Sequence, residues 1–385
     1  MTLFTHLECH ECKAKYDPKQ LQRFCTIDNQ PLVAKYDCSK APNKEILKGR
    51  TWDMWRYREM LPVFDDSNIV SLGEGMAPLL QANNLDSRFS NLYIKDEGQN
   101  PTGSFKARGL SMAISKAKEL GVKISSIPTA GNAGSALSAY GAKAGMTIHA
   151  YMPKQTPSVF QLDCAITGAH VNTIEGNISD AGKQMRADMQ EDWWDVTTLK
   201  EPYRLEGKKT MGYEIAEQMN WKLPDVILYP TGGGTGLIGI WKAFKEMLEM
   251  GWIKEIPTRM VAVQIAQCNP IVQAFENNDS GSLPYESPGV TIANGLRVPH
   301  AFGHKLILKT LYESNGTAID VTDEEMHNGI SELAKAEGLF VSPEGAAVWE
   351  AAKKLLEKGW IKEHESVVLL NTGSAYKYIE NVRIP

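Results

Sequence analysis

Four short segments of the chain contain residues whose types and spacing could carry out chemistry. In the first, residues 100–109 (Asn-Pro-Thr-Gly-Ser-Phe-Lys-Ala-Arg-Gly), Lys106 lies at the start of a predicted helix. The positive end of the helix dipole disfavours an ammonium ion there and favours the neutral amine that imine formation needs. Lys106 is therefore a candidate nucleophile, and an ordinary surface lysine is the alternative.

Two further segments are turns of small residues that suit an anion. Residues 129–135 read Thr-Ala-Gly-Asn-Ala-Gly-Ser, in which the side chain of Asn132 both donates and accepts hydrogen bonds. Residues 230–236 read Pro-Thr-Gly-Gly-Gly-Thr-Gly and follow an apolar strand. The second turn matches neither a Walker loop nor the dinucleotide fingerprint, so it predicts a phosphate site for a small cofactor. A helix cap at the first turn and a flexible loop at the second are the alternatives.

The fourth segment, Asn-Thr-Gly-Ser at residues 371–374, follows the last predicted strand. The hydroxyl of Thr372 at a strand end could form a hydrogen bond with a ring nitrogen of a cofactor. Viewed alone, an ordinary turn residue explains Thr372 equally well.

The elements that must position these segments are strands alternating with amphipathic helices. Strands are predicted at 92–95, 126–129, 147–152, 171–175, 225–229, 260–265 and 367–370. Helices are predicted at 104–120, 132–144, 206–219 and 236–249, and a capping box at 322–325 opens another. This alternation predicts mostly parallel α/β sheets covered on both faces. Such sheets bind ligands at the carboxyl ends of their strands, where the glycine-rich turns fall.

Residues 1–45 are predicted to form a small zinc-ribbon-like extension. Cys9 and Cys12 form one Cys-x-x-Cys knuckle, whereas Cys25 is followed three residues later by Asp28. Zinc ribbons use two such knuckles because four soft ligands complete a tetrahedron. With a carboxylate in the fourth position, the sequence favours a ribbon that has lost its metal, and we expect no metal site. Cys38 is badly spaced for a substitute ligand.

The composition excludes several classes of protein. The chain has 385 residues, enough for two or three domains, with 43% hydrophobic and 23% charged residues. Its net charge of -5 and the lack of a basic patch argue against a nucleic-acid partner. The N-terminus does not read as a signal peptide, and no apolar run is long enough for a membrane span. We therefore expect a cytoplasmic protein.

Taken in order, these segments resemble those of the fold-type II pyridoxal-phosphate (PLP) enzymes, and the threonine synthases in particular. Residues 71–75 (Ser-Leu-Gly-Glu-Gly) are similar to the opening motif of that family, and residues 204–210 (Arg-Leu-Glu-Gly-Lys-Lys-Thr) are similar to its mid-chain motif. The resemblance implies an α/β fold of two doubly wound domains and a homodimer that acts on an amino-acid substrate. The large PLP-binding domain would comprise 46–100 and 200–385, the small domain 101–199, and the extension 1–45.

The resemblance also implies roles for individual residues. Lys106 would hold PLP as a Schiff base and move protons, and Phe105 would shape the cofactor pocket. Asn132 would contact the ring oxygen of the cofactor, and Thr372 its pyridine nitrogen. The cofactor phosphate would be held by Gly232, Gly233, Gly234, Thr235 and Gly236. The substrate would be held at its carboxylate by Thr129, Ala130 and Gly131, and at its phosphate by Arg204 and Thr198.

Alternatives remain open at this stage. The leading function is threonine synthase, which converts O-phospho-L-homoserine and water to L-threonine and phosphate. The second is a threonine or serine dehydratase, or a related β-elimination or β-replacement enzyme, favoured by Leu199 and by the glycine-rich cofactor turn. The third, a non-enzymatic adaptor, conflicts with the presence of Lys106, Asn132 and Thr372. For Arg204, the alternative to a phosphate contact is an ion pair with Glu206 or another carboxylate that holds the start of the helix.

Overall fold

The computed structural model describes residues 1–383, and the chain divides into two compact units. The first unit comprises residues 1–76, 100–102 and 106–210, and the second comprises 77–99, 103–105 and the residues from 211 on. This division differs from the expected one, in which 46–100 belonged with 200–385 and 1–45 stood apart. Residues 1–76 instead belong to the same unit as 106–210.

The secondary structure alternates strands and helices along most of the chain. The strands are β1 (Phe4–Cys9), β2 (Lys15–Tyr16), β3 (Leu32–Tyr36), β4 (Leu79–Gln81), β5 (Asn91–Asp96), β6 (Ile124–Pro128), β7 (Thr147–Pro153), β8 (His170–Ile174), β9 (Trp193–Asp195), β10 (Val226–Pro230), β11 (Arg259–Ile265), β12 (Thr317–Val321) and β13 (Ser366–Asn371). The α-helices are α1 (Lys106–Glu119), α2 (Asn132–Ala144), α3 (Ser158–Ile166), α4 (Ile178–Asp188), α5 (Tyr203–Gln218), α6 (Thr235–Glu249), α7 (Pro270–Glu276), α8 (His304–Glu313), α9 (Asp323–Glu337) and α10 (Pro343–Glu357).

The first unit contains two sheets. Four strands form a parallel sheet in the order β8-β7-β6-β9, and the N-terminal strands form an antiparallel sheet in the order β2-β1-β3. The N-terminal sheet shares a hydrophobic core with the rest of the unit, because Phe4, Leu7 and Cys9 belong to the same buried cluster as Leu110 and Ile114 of α1. That shared core explains why residues 1–45 do not form a unit of their own.

The second unit is built on one six-stranded sheet in the order β12-β11-β10-β13-β5-β4. All neighbouring strands are parallel except β4 and β5. Every residue of β10 is buried, as expected for a parallel strand covered on both faces. The α/β fold class with mostly parallel sheets is therefore confirmed.

The predicted elements overlap observed ones, and the predicted capping box is present. The hydroxyl of Thr322 accepts from the N–H of Glu325 at 3.2 Å, and the Glu325 carboxylate accepts from the N–H of Thr322 at 2.7 Å. Several short strands, among them β9 and β12, were not predicted. No helix within residues 1–383 is both long enough and apolar enough to cross a membrane.

Helices α1 and α5 approach each other closely at two glycines. A Cβ atom on Gly207 of α5 would lie 2.0 Å from the carbonyl oxygen of Arg108 in α1. A Cβ atom on Gly109 of α1 would lie 3.0 Å from the carbonyl oxygen of Arg204 in α5. Because only glycine lacks a Cβ atom, these two positions let the backbones touch. They bring the helix that begins with Lys106 against the helix that carries Arg204.

We expect Gly207→Ala to lower the free energy of unfolding by about 2 kcal/mol, because the added methyl group has no space unless backbone moves. Gly182→Ala in α4 is the matched control, since its Cβ would lie nearest to the flexible Arg186 side chain, at 3.3 Å. We expect no loss there, and a gain of up to about 1 kcal/mol from helix propensity. Chemical denaturation measures both variants, and equal stability would contradict a tight contact between α1 and α5.

Candidate active site

The first unit places Lys106 and the 129–131 turn at the starts of two helices. Lys106 is the first residue of α1, and Asn132 is the first residue of α2. The hydroxyl of Thr129 accepts hydrogen bonds from two backbone N–H groups of the turn and of α2, at 3.3 and 3.0 Å. This hydroxyl therefore fixes the turn. One of the two donors is the N–H of Gly131, which leaves the N–H of Ala130 as the group of the turn that suits a carboxylate.

The second unit carries the glycine-rich turn between β10 and α6, and packing excludes side chains from it. A Cβ atom on Gly232 would lie 2.3 Å from the carbonyl oxygen of Gly295. A Cβ atom on Gly234 would lie 2.3 Å from a side chain of α8, and one on Gly236 would lie 2.0 Å from the Tyr229 hydroxyl. The turn is thus formed by backbone that neighbouring atoms already enclose.

The same turn ends at the N-terminus of α6. Gly234 has a left-handed φ of 70° and caps the helix, and Thr235 is its first residue. Together with Gly233, these residues lie at the positive end of a helix of 15 residues. Backbone N–H groups at such an end form a phosphate-binding arrangement.

The residue just before Lys106 is hydrogen-bonded to the end of β13. The N–H of Phe105 donates to the carbonyl oxygen of Thr372 at 3.1 Å. The Phe105 ring packs edge-on against Tyr229 of β10, with ring centroids 6.1 Å apart. Thr372 is buried at 6% exposure. Within the second unit, Phe105 and Thr372 therefore lie together beside the strand that leads into the glycine-rich turn.

In each unit, buried polar atoms of these segments lack a hydrogen-bond partner within residues 1–383. They include Ser104 Oγ and Tyr229 Oη in the second unit, and Ser135 Oγ, Arg204 Nε and Arg204 Nη2 in the first. Buried polar groups in proteins are nearly always hydrogen-bonded, so these atoms indicate bound polar ligands. Within the second unit, Ser104, Tyr229 and the enclosed glycine-rich turn fit a cofactor that carries a phosphate group.

A cluster of buried charges surrounds the start of α5. Arg204 is 1% exposed, and its Nη1 atom donates to the carbonyl oxygen of Val196 at 2.7 Å. Its backbone N–H donates to the carboxylate of Glu201 at 3.0 Å. Lys208 is also fully buried. Burial, followed by the positive charges of Lys106 and Arg204, holds the pKa of Lys208 well below its usual value.

Sequence analysis missed Lys208 and Glu201. The available signal for Lys208 was its spacing of four residues from Arg204, which places both side chains on one face of a helix. Burial raises the pKa of the Glu201 carboxyl to about 7, so near neutral pH this group is only partly ionised and does not fully balance the Arg204 guanidinium. The cluster is therefore suited to receive an anion.

Glu206, the alternative partner of Arg204, is engaged elsewhere. Its carboxylate accepts from Lys209 Nζ at 2.8 Å and from the Tyr36 hydroxyl at 2.8 Å. Thr198 is half-buried in the loop between β9 and α5. The next residue, Leu199, is buried and has a φ of 60°.

Comparison with known proteins defines the class. The chain belongs to the pyridoxal-phosphate dependent enzyme family, whose model matches residues 70–373. PLP is accordingly its cofactor, and the segments described above fit that molecule.

Among individual relatives, the chain is 37% identical over 375 residues to a threonine synthase of Methanocaldococcus jannaschii, with 96% of this chain and 92% of the relative covered. It is 35% identical over 376 residues to a threonine synthase of Methanosarcina acetivorans, with 97% and 92% covered. Its fold is similar to that of an L-serine ammonia-lyase from Rhizomucor miehei, with a TM-score of 0.68 at 21% identity, over 80% of this chain and 98% of that chain.

Replacing Lys106 should remove the attachment of the cofactor. We expect Lys106→Ala to lose PLP and its visible absorbance on dialysis, because the substitution removes the amine that would form the imine with the cofactor. The exposed Lys118→Ala variant, at the other end of α1, should keep both. Absorbance and circular dichroism of the dialysed proteins make the comparison. A folded Lys106→Ala variant that retained PLP would exclude this lysine as the attachment point.

The buried Glu201 should make stability depend on pH. Its carboxyl pKa rises from 4.5 to about 7 on folding, so the folded protein binds this proton more tightly than the unfolded chain. Its stabilising contribution is present below pH 4.5 and is lost as the pH rises to about 7. We expect a loss of about 3 kcal/mol from this group in the wild type, and not in Glu201→Gln.

Urea denaturation at several pH values across that window measures the difference. The exposed Glu249→Gln variant is the control and should follow the wild type. Parallel curves for the wild type and Glu201→Gln would contradict a raised pKa at Glu201.

Proposed function

We propose that this enzyme is a threonine synthase, which converts O-phospho-L-homoserine and water to L-threonine and phosphate. The observation that carries the proposal is the buried guanidinium of Arg204, whose Nε and Nη2 atoms lack a partner within residues 1–383. A guanidinium fork matches phosphate oxygens in a bidentate manner. The high identity to threonine synthases over almost the whole chain supports the same substrate.

In the proposed reaction, several side chains have defined roles. PLP, when bound, supplies the electron sink that acidifies carbon atoms of the substrate. Lys106 Nζ takes and returns protons at those carbons. Arg204 orients the γ-phosphate and stabilises it as it leaves, and water adds at the β carbon. Lys208 is a buried amine near Arg204 whose pKa is depressed, and Thr198 donates a further hydrogen bond.

The remaining assigned residues hold the cofactor and the substrate carboxylate. In the 129–131 turn, the main-chain N–H of Ala130 binds the substrate carboxylate at the start of α2, and the Thr129 hydroxyl holds the turn through the N–H of Gly131. Asn132 contacts the ring oxygen of PLP, and the 232–236 turn binds its phosphate. The neutral hydroxyl of Thr372 would donate a hydrogen bond to the pyridine nitrogen, so the ring would be less protonated than beside an aspartate.

A dehydratase is the second candidate, favoured by one observation. Leu199 is buried at 2% exposure beside the loop where a polar residue would help to bind a substrate phosphate. Steady-state assays separate the two functions: phosphate release from O-phospho-L-homoserine supports the synthase, and keto-acid formation from threonine or serine without phosphate release supports the dehydratase.

We also propose that the enzyme is a homodimer and is located in the cytoplasm. Size-exclusion chromatography with light scattering tests the dimer.

Arg204→Ala should lower kcat/KM for O-phospho-L-homoserine at least about tenfold, chiefly through KM, because a charged hydrogen bond to the phosphate is lost. Inhibition by inorganic phosphate should weaken in parallel. Arg88→Ala is the matched control, since Arg88 pairs with Asp86 at an exposed site. If Arg204 only holds the start of α5, thermal stability will fall while kcat/KM and phosphate inhibition stay unchanged. That result would remove Arg204 from the substrate site.

A further inference from the structure

The N-terminal sheet contains two turns with the same backbone hydrogen bonds. The N–H of Cys9 donates to the carbonyl oxygen of Ala14 at 2.9 Å, and the N–H of Cys25 donates to that of Gln30, also at 2.9 Å. In both turns, the donor and acceptor are five residues apart. The segment beginning at Cys25 therefore repeats the fold of the Cys9–Cys12 knuckle, although it ends in Asp28.

A second pair of matching features strengthens this equivalence. The N–H of Lys13 donates to the carbonyl oxygen of Cys9 at 3.2 Å, and the N–H of Asn29 donates to that of Cys25 at 3.0 Å. Lys13 and Asn29 both have left-handed backbones, with φ of 65° and 57°. Asp28 thus occupies the place in the second turn that Cys12 occupies in the first.

The four side chains meet with the spacing of a tetrahedral metal site. One ligand atom from each of Cys9, Cys12, Cys25 and Asp28 lies within 4.8 Å of all the others. The sulfur atoms of Cys12 and Cys25 are 3.6 Å apart, and the sulfur of Cys9 is 3.3 Å from an oxygen of Asp28. A zinc ion with Zn–S bonds of about 2.3 Å and a Zn–O bond of about 2.0 Å would place these pairs about 3.8 and 3.5 Å apart.

We propose that Cys9, Cys12, Cys25 and Asp28 bind one zinc ion. Three thiolates select zinc over magnesium and calcium, and a carboxylate is an accepted fourth zinc ligand. Four protein ligands close the coordination sphere, so the ion is structural. The sequence predicted no metal site, because Asp28 stands where a fourth cysteine ligand would be. The proposal differs because the backbone around Asp28 repeats that of the Cys9–Cys12 knuckle.

Neighbouring groups support the ligands. The Tyr16 hydroxyl donates to the sulfur of Cys25 at 3.1 Å, and the N–H of Ile27 donates to it at 3.4 Å. The N–H of Gln30 donates to the carboxylate of Asp28 at 3.0 Å. Donors of this kind orient ligands and stabilise their anionic forms. A disulfide between Cys12 and Cys25 is absent, since such a bond is about 2.05 Å long.

The ion would also support α5 within the first unit. Tyr36 of β3 donates to Glu206 at 2.8 Å, and Lys209 Nζ lies 3.8 Å from the centre of the Tyr36 ring. Arg23, two residues before Cys25, contacts Asp195 of β9 at 2.8 Å. Loss of the metal would therefore loosen the sheet that contacts the helix carrying Arg204.

The test measures metal content of the full-length protein, purified with reducing agent and zinc and then desalted. We expect one zinc per chain in the wild type, and a cobalt-substituted protein with the intense visible absorption of a tetrahedral thiolate site. Asp28→Ala should weaken zinc affinity at least about tenfold, and Asp28→Cys should restore it. Cys38→Ser, which changes a cysteine outside the cluster, should keep the metal.

The competing outcomes are separable. A wild type without zinc and without the cobalt spectrum would overturn the proposal, as would a Cys12–Cys25 disulfide in the reduced, zinc-treated protein. Equal zinc affinity in Asp28→Ala and the wild type would exclude Asp28 as a ligand. Because the Asp28 variants leave all three thiols in place, the test does not depend on the folding of cysteine variants. A chelator should lower the melting temperature of the wild type and of Asp28→Cys more than that of Asp28→Ala.

Discussion

The backbone contact between α1 and α5 is the constraint on which the first unit depends. Gly109 and Gly207 let the two helices touch without side chains between them. The helix that begins at Lys106 and the helix that carries Arg204 are consequently fixed relative to each other by main-chain atoms. Backbone contact leaves fewer rotatable bonds between two reactive groups than side-chain packing does. The distance between these two groups is therefore set mainly by the helices and depends little on the conformations of long side chains.

Ionisable side chains are buried close to that contact, at the start of α5. Arg204 and Lys208 are fully buried within one turn of α5, and the carboxyl of Glu201 is held partly neutral by its own burial. Uncompensated charge in a low-dielectric environment is costly, and an incoming anion relieves part of that cost. The buried guanidinium of Arg204 is therefore a group whose desolvation an anion would offset. Stability and binding are linked through one group of residues.

Much of the fold follows from local patterns in the sequence. The buried strands β10 and β13 and the helix start at Asn132 were predictable because apolar runs and small-residue turns leave clear signals. Unit boundaries were not predictable, since the shared core of β1 and α1 depends on contacts between residues far apart in sequence. The roles of individual side chains were likewise predictable only in part. The glycine-rich turn could be recognised in the sequence itself. The burial of Lys208 and the hydrogen bonds that the Thr129 hydroxyl accepts from backbone N–H groups could be recognised only in the structure.

The glycine-rich turn after β10 bears on how enzymes of this fold diversify. A phosphate held by main-chain N–H groups is held alike whatever side chains surround it, and packing already forbids side chains at Gly232, Gly234 and Gly236. A binding arrangement of this kind is therefore set by the path of the backbone. It does not depend on the side chains of surrounding residues, so those residues are free to vary without altering it.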